Sequence, residues 1–176
     1  MDLRKGFHEP VEKPRRFYRT VEVARAPEGE GYAVLLDARR LRTPKALTMT
    51  LPTRALAEQV AEEWAAQADT IEMAHMHATR LANTAIETIP GAREATADQV
   101  AQYAGSDLLC YFAQGPEALV ERQERDWGPV LDRFEAEAGL RFERSAGIVH
   151  RDQPPLTLER LREDALGLDD FGLAGL

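Results

Sequence analysis

The sequence predicts an α+β protein, in which a small N-terminal antiparallel β domain, residues 1–52, precedes a C-terminal α-helical domain, residues 53–176. Three observations predict this class. Residues 16–52 alternate between apolar and polar side chains and are rich in β-forming types. After Pro52, apolar residues recur at helical spacing as far as Leu168. The two patterns are segregated along the chain, as in an α+β arrangement, and do not alternate.

Short alternating runs predict the strands. Residues 17–23 form the first run, residues 32–36 form the second after a glycine-rich turn, and residues 47–51 form a third or fourth. Residues 41–43 are a candidate hairpin partner. The connections are too short for crossovers, so we expect antiparallel pairing.

Caps and breakers delimit the predicted helices. Thr53 is a suitable N-cap for the first helix, and Pro90–Gly91 ends the second. Gly105 ends the third. A longer helix begins at Pro116, and Gly128–Pro129 should kink or split it, because proline removes a backbone donor. Gly139 is a natural C-cap for this helix. The segment over residues 142–149 is short and ambiguous, with an extended conformation as the candidate. A last amphipathic helix follows over residues 158–168.

The end of the sequence predicts a truncated helical domain. Asp169 or Asp170 is positioned as an N-cap, and Phe171, Leu173 and Leu176 then begin an apolar stretch with no stop signal. Because natural chain ends usually fray into polar residues, we expect further helices beyond this point.

Composition excludes several classes of protein. No apolar stretch approaches the roughly 20 residues that span a bilayer, so no membrane insertion is expected. The N-terminal residues contain acidic side chains and no apolar core, which is atypical of a secretory signal or a transit peptide. Cys110 is the only cysteine, so no intrachain disulfide is possible and we expect a buried structural thiol.

The formal charge of −8 is unevenly distributed: residues 1–45 carry +4 and residues 46–176 carry −12. An acidic body argues against nucleic acid as the main partner and favours a basic or mixed protein surface. The basic and aromatic segment KPRRFYR, residues 13–19, leaves open an RNA-binding module through residues 4–19. A solvated lead-in to the first strand is the preferred interpretation of this segment.

The sequence contains few of the motifs that carry catalytic chemistry. The sequence contains neither a Walker pattern nor GxGxxG. His75 and His77 share a face only in an extended segment, and a metal there would need a third ligand such as Glu72 or Asp69. The competing hypothesis of a small-molecule or metal-dependent hydrolase would use His75, His77 and Asp107.

One predicted helix carries a polar stripe beside its apolar face. Within RLANTAIE, the side chains of Arg80, Asn83, Thr84 and Glu87 share one side of a helix that is otherwise built for burial. Such a stripe faces solvent or forms a recognition surface.

The sequence resembles the F-type ATP synthase assembly chaperones that act on the alpha subunit, which are found in mitochondria and alphaproteobacteria. An ordered series of segments carries this resemblance. The series comprises TPKALTMTLPTRALAEQVAEEWAAQ (43–67), TRLANTAIE (79–87), YAGSDLLCYF (103–112), PEALVERQERDWGPVLD (116–132), QPP (153–155) and LDDF (168–171).

The resemblance implies a non-enzymatic protein without cofactors that binds the newly made alpha subunit, shields its interface and prevents aggregation before the α/β hexamer assembles. The fold it implies, a β domain joined to a helical domain, is the one predicted above. Family members continue past LDDF into further helices. The implied location is the bacterial cytoplasm, or the mitochondrial matrix in a eukaryote, and a monomer is favoured.

The residues that match the family and are predicted to bind the partner are Arg80, Asn83, Asp107, Tyr111 and Trp127. The polar ones, Arg80, Asn83 and Asp107, are the preferred candidates, although Asp107 is also positioned to cap a helix.

Overall fold

The computed structural model describes residues 13–176 and confirms the α+β class, with a three-stranded antiparallel sheet followed by helices. The chain divides into two compact units, Met1–Glu87 and Thr88–Leu176. This division falls later than the boundary after Pro52 that the sequence predicts. The first two helices pack with the sheet or with each other, and therefore belong to the first unit.

The sheet of the first unit consists of β1 (Val21–Arg25), β2 (Tyr32–Leu36) and β3 (Arg39–Arg40), in that order. The β1–β2 pair is antiparallel, with Val21 opposite Leu36 and Arg25 opposite Tyr32. The β2–β3 turn has positive φ angles at both central residues, as in the turns that match the twist of a hairpin.

The segment predicted as a strand over residues 47–51 does not form one. It makes single bridges only, from Thr48 to Arg42 and from Leu51 to Tyr32. Residues 41–43 likewise continue beyond β3 as an irregular partner, with the Met49 amide donating to the Leu41 carbonyl at 3.2 Å. The side chains of Met49 and Leu51 are nevertheless buried, so the alternating pattern correctly marked a core-facing segment.

Helix α1 (Arg54–Ala65) begins where the sequence predicts. The Thr53 side chain caps it by accepting a hydrogen bond from the Leu56 amide at 3.2 Å. The helix packs on β1 and β2. A short 3₁₀ turn, Met73–His75, then leads into α2 (His77–Glu87), which packs on α1.

The second unit is mostly helical and includes 3₁₀ turns at Ile89–Gly91 and Leu108–Cys110. Its α-helices are α3 (Arg93–Ala104), α4 (Glu117–Asp126), α5 (Gly128–Ala138), α6 (Pro155–Gly167) and α7 (Asp170–Ala174). The predicted break at Gly128–Pro129 separates α4 from α5. The predicted C-cap at Gly139 has a left-handed φ of 67°.

The core of the second unit lies where α3 packs against α6 and α7. Its fully buried members are Ile89, Ala97, Ala165 and Leu173. Arg93 supports this packing, since its guanidinium donates to the Leu166 carbonyl at 2.8 Å and pairs with Asp170. Asp169 caps α7 as predicted, by accepting from the Gly172 amide at 2.6 Å. The proposed truncation after α7 stays a prediction.

A second, two-stranded sheet joins β4 (Tyr111–Phe112) to β5 (Ser145–Ala146) in parallel. The segment at residues 142–149, ambiguous in sequence, is therefore extended in part. Among residues 13–176, no helix combines the length and apolar character needed to cross a membrane.

The Asp37 carboxylate, in the β2–β3 turn, accepts hydrogen bonds from the backbone at the start of β1. These bonds predict a contribution to stability that is lost in acid. The carboxylate accepts from the amides of Thr20 and Arg19 at 2.8 and 3.0 Å. These hydrogen bonds, that of Thr20 above all, hold the pKa of Asp37 below its usual value. A carboxyl group with a lowered folded-state pKa stabilises the fold above its unfolded pKa, and the contribution is lost as the pH falls through the folded pKa.

We therefore expect the melting temperature of Asp37→Asn to fall less than that of the wild type between about pH 6 and about pH 3. Thermal melts followed by circular dichroism measure the difference. Glu62→Gln is the control, because no hydrogen bond to the Glu62 side chain is found among residues 13–176. Equal losses in wild type and Asp37→Asn would contradict the prediction.

Candidate functional site

The structure places the predicted partner-binding residues in both compact units. Arg80 and Asn83 lie on α2 of the first unit. Asp107, Tyr111 and Trp127 lie in the second unit, the first two around the 3₁₀ turn and β4, and Trp127 at the junction of α4 and α5. Whether any of them binds a partner stays a prediction.

On α2, the polar stripe separates into residues that face solvent and residues held by the fold. Arg80 is exposed, and the only hydrogen bond of its guanidinium within residues 13–176 is a long one, 3.5 Å, to the Ala74 carbonyl. Glu87 accepts from the Lys45 amide at 2.6 Å, and its pKa is lowered chiefly by a hydrogen bond from Thr43. Glu87 is therefore part of the fold, whereas Arg80 is available to a partner.

Asn83 is half-buried, and its Oδ1 has no hydrogen-bond donor among the described residues. A buried polar atom without a partner carries a desolvation cost that a ligand or water can remove. The unpaired Oδ1 therefore makes Asn83 a candidate contact residue.

Glu63, which no motif in the sequence marks, fixes the start of α2. Its carboxylate accepts from the amides of Ala78 and Thr79 at 2.7 and 2.8 Å, and from the Thr79 hydroxyl at 2.8 Å. The amides in the first turn of a helix have no partner within the helix. A glutamate from α1 supplies that partner across 15 or 16 residues of sequence, a separation at which no local pattern exists.

The second unit contains an open apolar groove of about 400 Å³. Helices α3, α5 and α6 contribute the side chains of Tyr103, Val130, Phe134 and Leu161. Tyr103, Val130 and Phe134 are all exposed to solvent. We refer to this surface as the apolar groove.

Asp107 is the only charged residue among the described residues that line the apolar groove. It also caps the 3₁₀ turn Leu108–Cys110, because its carboxylate accepts from the Leu109 amide at 2.8 Å. The capping role that the sequence predicts is therefore present, and the side chain also lies at the groove.

Cys110 lines the same groove but is only 1% exposed. Burial raises the pKa of its thiol, and the nearby Asp107 carboxylate raises it further. Because the thiolate is the reactive form, both effects make Cys110 a poor nucleophile.

We expect Cys110 to react with a disulfide reagent such as dithionitrobenzoate at least about a hundredfold more slowly in the native protein than in urea. Absorbance of the released thiolate measures both rates, and free glutathione under each condition is the control. A native rate close to that of glutathione would contradict the buried, high-pKa thiol.

Tyr111 and Trp127 are half-buried and have structural neighbours. The Tyr111 hydroxyl lies 2.9 Å from Nδ1 of His150. The Trp127 ring packs edge-on against Phe112, with centroids 6.2 Å apart. Both residues hold the second sheet to its surroundings, and neither lines the apolar groove.

The hydrolase hypothesis gains no geometric support. His75 lies in the 3₁₀ turn of the first unit and His77 begins α2, and both are exposed. Asp107 belongs to the second unit. Within residues 13–176, no three His, Cys, Asp or Glu side chains converge in a way that would hold a metal ion. For the RNA-binding hypothesis, residues 4–12 lie outside the described residues.

Comparison with known proteins decides the family. The sequence pattern of the ATP12 chaperone protein family matches residues 15–135. The chain belongs to the ATP12 chaperone family.

Solved structures of proteins similar to this chain share its fold. Atp12 from Paracoccus denitrificans is 40% identical to this chain, with a TM-score of 0.82 over 92% of this chain and 68% of the Paracoccus chain. An aspartate-to-lysine variant of Paracoccus Atp12p gives the same values. The Atu1473 protein of Agrobacterium tumefaciens is 39% identical, with a TM-score of 0.82 over 92% of this chain and 60% of its own.

Membership of the ATP12 family supports a role as a chaperone in ATP synthase assembly. The resemblance inferred from the ordered sequence segments is therefore confirmed at the level of the family.

Proposed function

We propose that this chain binds the unassembled alpha subunit of the F-type ATP synthase catalytic head. In this role it shields the subunit interface and prevents aggregation until the α/β hexamer assembles. An orphan subunit of an obligate oligomer exposes a large apolar interface, which is a hazard for aggregation. A chaperone shields this interface simply by binding to it. The proposed role therefore involves no catalytic step and no cofactor.

The observation that carries this proposal, beside the family, is the amount of apolar surface in the second unit. Among residues 13–176, ten of the thirteen exposed large apolar side chains lie between residues 88 and 176. Several of them surround the apolar groove. Monomeric proteins rarely expose contiguous apolar surface unless it binds something. We therefore place part of the alpha-subunit contact at the apolar groove, together with Arg80, Asn83, Asp107, Tyr111 and Trp127 as candidate contact residues.

The net negative charge of the second unit allows the protein to expose such a surface and stay monomeric. Residues 88–176 contain 9 arginines against 17 acidic residues, so this unit carries the whole net charge of −8. Like charges on two copies repel, which opposes self-association through exposed apolar side chains. This arrangement fits a monomer that binds its client reversibly. The true assembly partner then displaces the monomer by mass action.

The proposed location is the bacterial cytoplasm, where ATP synthase subunits are made, or the mitochondrial matrix for a eukaryotic protein. An alpha subunit awaiting assembly is present in those compartments, and the presence of one cysteine in the sequence is compatible with a reducing environment.

The direct test is refolding of denatured alpha subunit with and without this protein, followed by light scattering. We expect an equimolar amount to suppress aggregation. Failure to reduce scattering at several-fold excess would overturn the proposed function.

A pair of variants tests the apolar groove. Val130 lines the groove and is 53% exposed, whereas Leu156 does not line it and is 76% exposed. Val130→Asp should raise the amount needed for half-suppression by about tenfold, because a buried unpaired carboxylate opposes binding. Leu156→Asp carries the same change in charge and should act like the wild type. Equal behaviour of the two variants would remove the groove from the contact.

A further inference from the structure

The first compact unit contains a second open groove, of about 740 Å³, whose lining is different in character. Arg39, Arg40 and Arg42 contribute to it from β3 and the segment that follows. We call this surface the arginine groove. No acidic residue lies among the described residues that line it.

Two of the three guanidinium groups have no ion-pair partner among residues 13–176. Arg40 is paired with Glu28 at 2.6 Å and donates to the Thr50 hydroxyl at 3.1 Å. The Arg39 side chain has no hydrogen-bond partner among residues 13–176, and the Arg42 side chain donates there only to the carbonyl of Ala46, at 3.3 Å. Both side chains are exposed, so the groove presents a positive surface to an approaching molecule.

The rest of the lining is apolar. Leu36, Leu41 and Trp64 are buried and contribute to its surface. Phe17 is 69% exposed, and its ring is held edge-on to Tyr18 with centroids 5.3 Å apart. An exposed aromatic ring beside arginines is a typical anchor in protein–protein interfaces.

Two buried donors of this lining have no acceptor in the part of the chain that the structure describes. Nε of Arg40 and Nε1 of Trp64 have no hydrogen-bond partner among the described residues. Trp64 is held in place, because its carbonyl accepts from the Tyr18 hydroxyl at 2.7 Å. A donor left unpaired is costly, and an oxygen acceptor brought by a ligand removes that cost after a small side-chain adjustment.

We propose that the arginine groove binds an acidic peptide segment that also carries a large apolar side chain. Carboxylates of the segment pair with Arg39 and Arg42, and its apolar side chain packs against Phe17 and the leucines. The identity of the protein that bears the segment, the client subunit, rests on the proposed function. A peptide is preferred to a nucleic acid because four of the seven residues that line the groove are apolar or aromatic, and an apolar side chain of a peptide covers them whereas a phosphate backbone does not.

The two tryptophans make the test specific, since Trp64 lies in the first unit and Trp127 in the second. The indole N–H signals in a ¹⁵N-correlation spectrum are assigned with Trp127→Phe. The probe is a synthetic peptide that alternates Asp or Glu with Leu or Phe, and the control peptide has lysine in place of each acidic residue. We expect a saturable shift of the Trp64 signal with the acidic peptide only, weakened by added salt.

Charge-reversing variants test the arginines. Arg39→Glu combined with Arg42→Glu should weaken peptide binding by about tenfold or more. Arg141→Glu combined with Arg151→Glu changes the net charge equally on exposed residues of the other unit, and should bind like the wild type. If the charge reversal disturbs the circular dichroism spectrum, Arg39→Gln with Arg42→Gln takes its place.

Three outcomes would overturn the inference. They are an unshifted Trp64 signal at millimolar acidic peptide, equal weakening by both double variants, and tighter binding of inorganic phosphate or a single-stranded RNA than of the peptide. Failure of the proposed function is distinguishable, since the protein would then bind the acidic peptide yet leave aggregation of the alpha subunit unchanged.

Discussion

Replacing Gly31 by alanine should destabilise the first unit by about 3–5 kcal/mol. Gly31 has a φ of +82°, and an added Cβ would lie 2.7 Å from the Leu51 carbonyl oxygen. That carbonyl accepts from the Tyr32 amide at 2.8 Å, and the Leu51 amide returns a bond of 2.8 Å to Tyr32. The added atom must therefore displace backbone that holds the sheet together, in addition to the cost of a left-handed conformation.

Gly29→Ala separates these two causes. Gly29 also has a positive φ, +92°, but an added Cβ would meet nothing within 4 Å. Its cost should be only about 1–2 kcal/mol, the conformational cost alone. Urea unfolding followed by Trp64 fluorescence in a Trp127→Phe background measures both variants. Equal losses would show that the contact with Leu51 carries no energy.

Removing the Glu63 carboxylate is the second change with a large expected effect. Glu63→Ala leaves two amides at the start of α2 and the buried Thr79 hydroxyl without their acceptor. We expect a loss of about 3 kcal/mol in the free energy of unfolding. Glu63→Gln keeps one acceptor oxygen, so its loss in free energy of unfolding should be about half as large. The same Trp64-monitored urea titration applies.

Glu62→Ala is the matched control for Glu63. It removes the adjacent glutamate of the same helix, which is exposed. Its effect should stay within about 0.5 kcal/mol, as is usual for exposed positions. If both alanine variants lose the same stability, the contribution of Glu63 comes from helix propensity or net charge and not from capping α2.

The two grooves give the proposed chaperone two kinds of contact. The apolar groove offers exposed Val130 and Phe134 within a unit of net charge −8, and the arginine groove offers cationic and aromatic side chains. Apolar contacts supply most of the free energy of binding, whereas charged contacts govern association rate and partner choice. Variants at Val130 should therefore change mainly the rate at which the client dissociates. Variants at Arg39 and Arg42 should change mainly the salt dependence of client binding.

The sequence by itself determined the class, the order of elements and most helix limits. Thr53, Gly139 and Asp169 cap where their types predict, and Gly128–Pro129 divides two helices, because these effects act through neighbouring backbone atoms. The ordered segments also carried the family resemblance, since a family pattern is a property of sequence.

Only the tertiary structure decided which residues meet. It showed that α1 and α2 belong with the sheet, that residues 47–51 pair through single bridges, and that Glu63 caps a helix from 16 residues away. It also brought Phe17, three arginines and Trp64 into one groove. These contacts join positions far apart in the chain, and their free energy depends on packing and desolvation in three dimensions, which leave no periodic trace in the sequence.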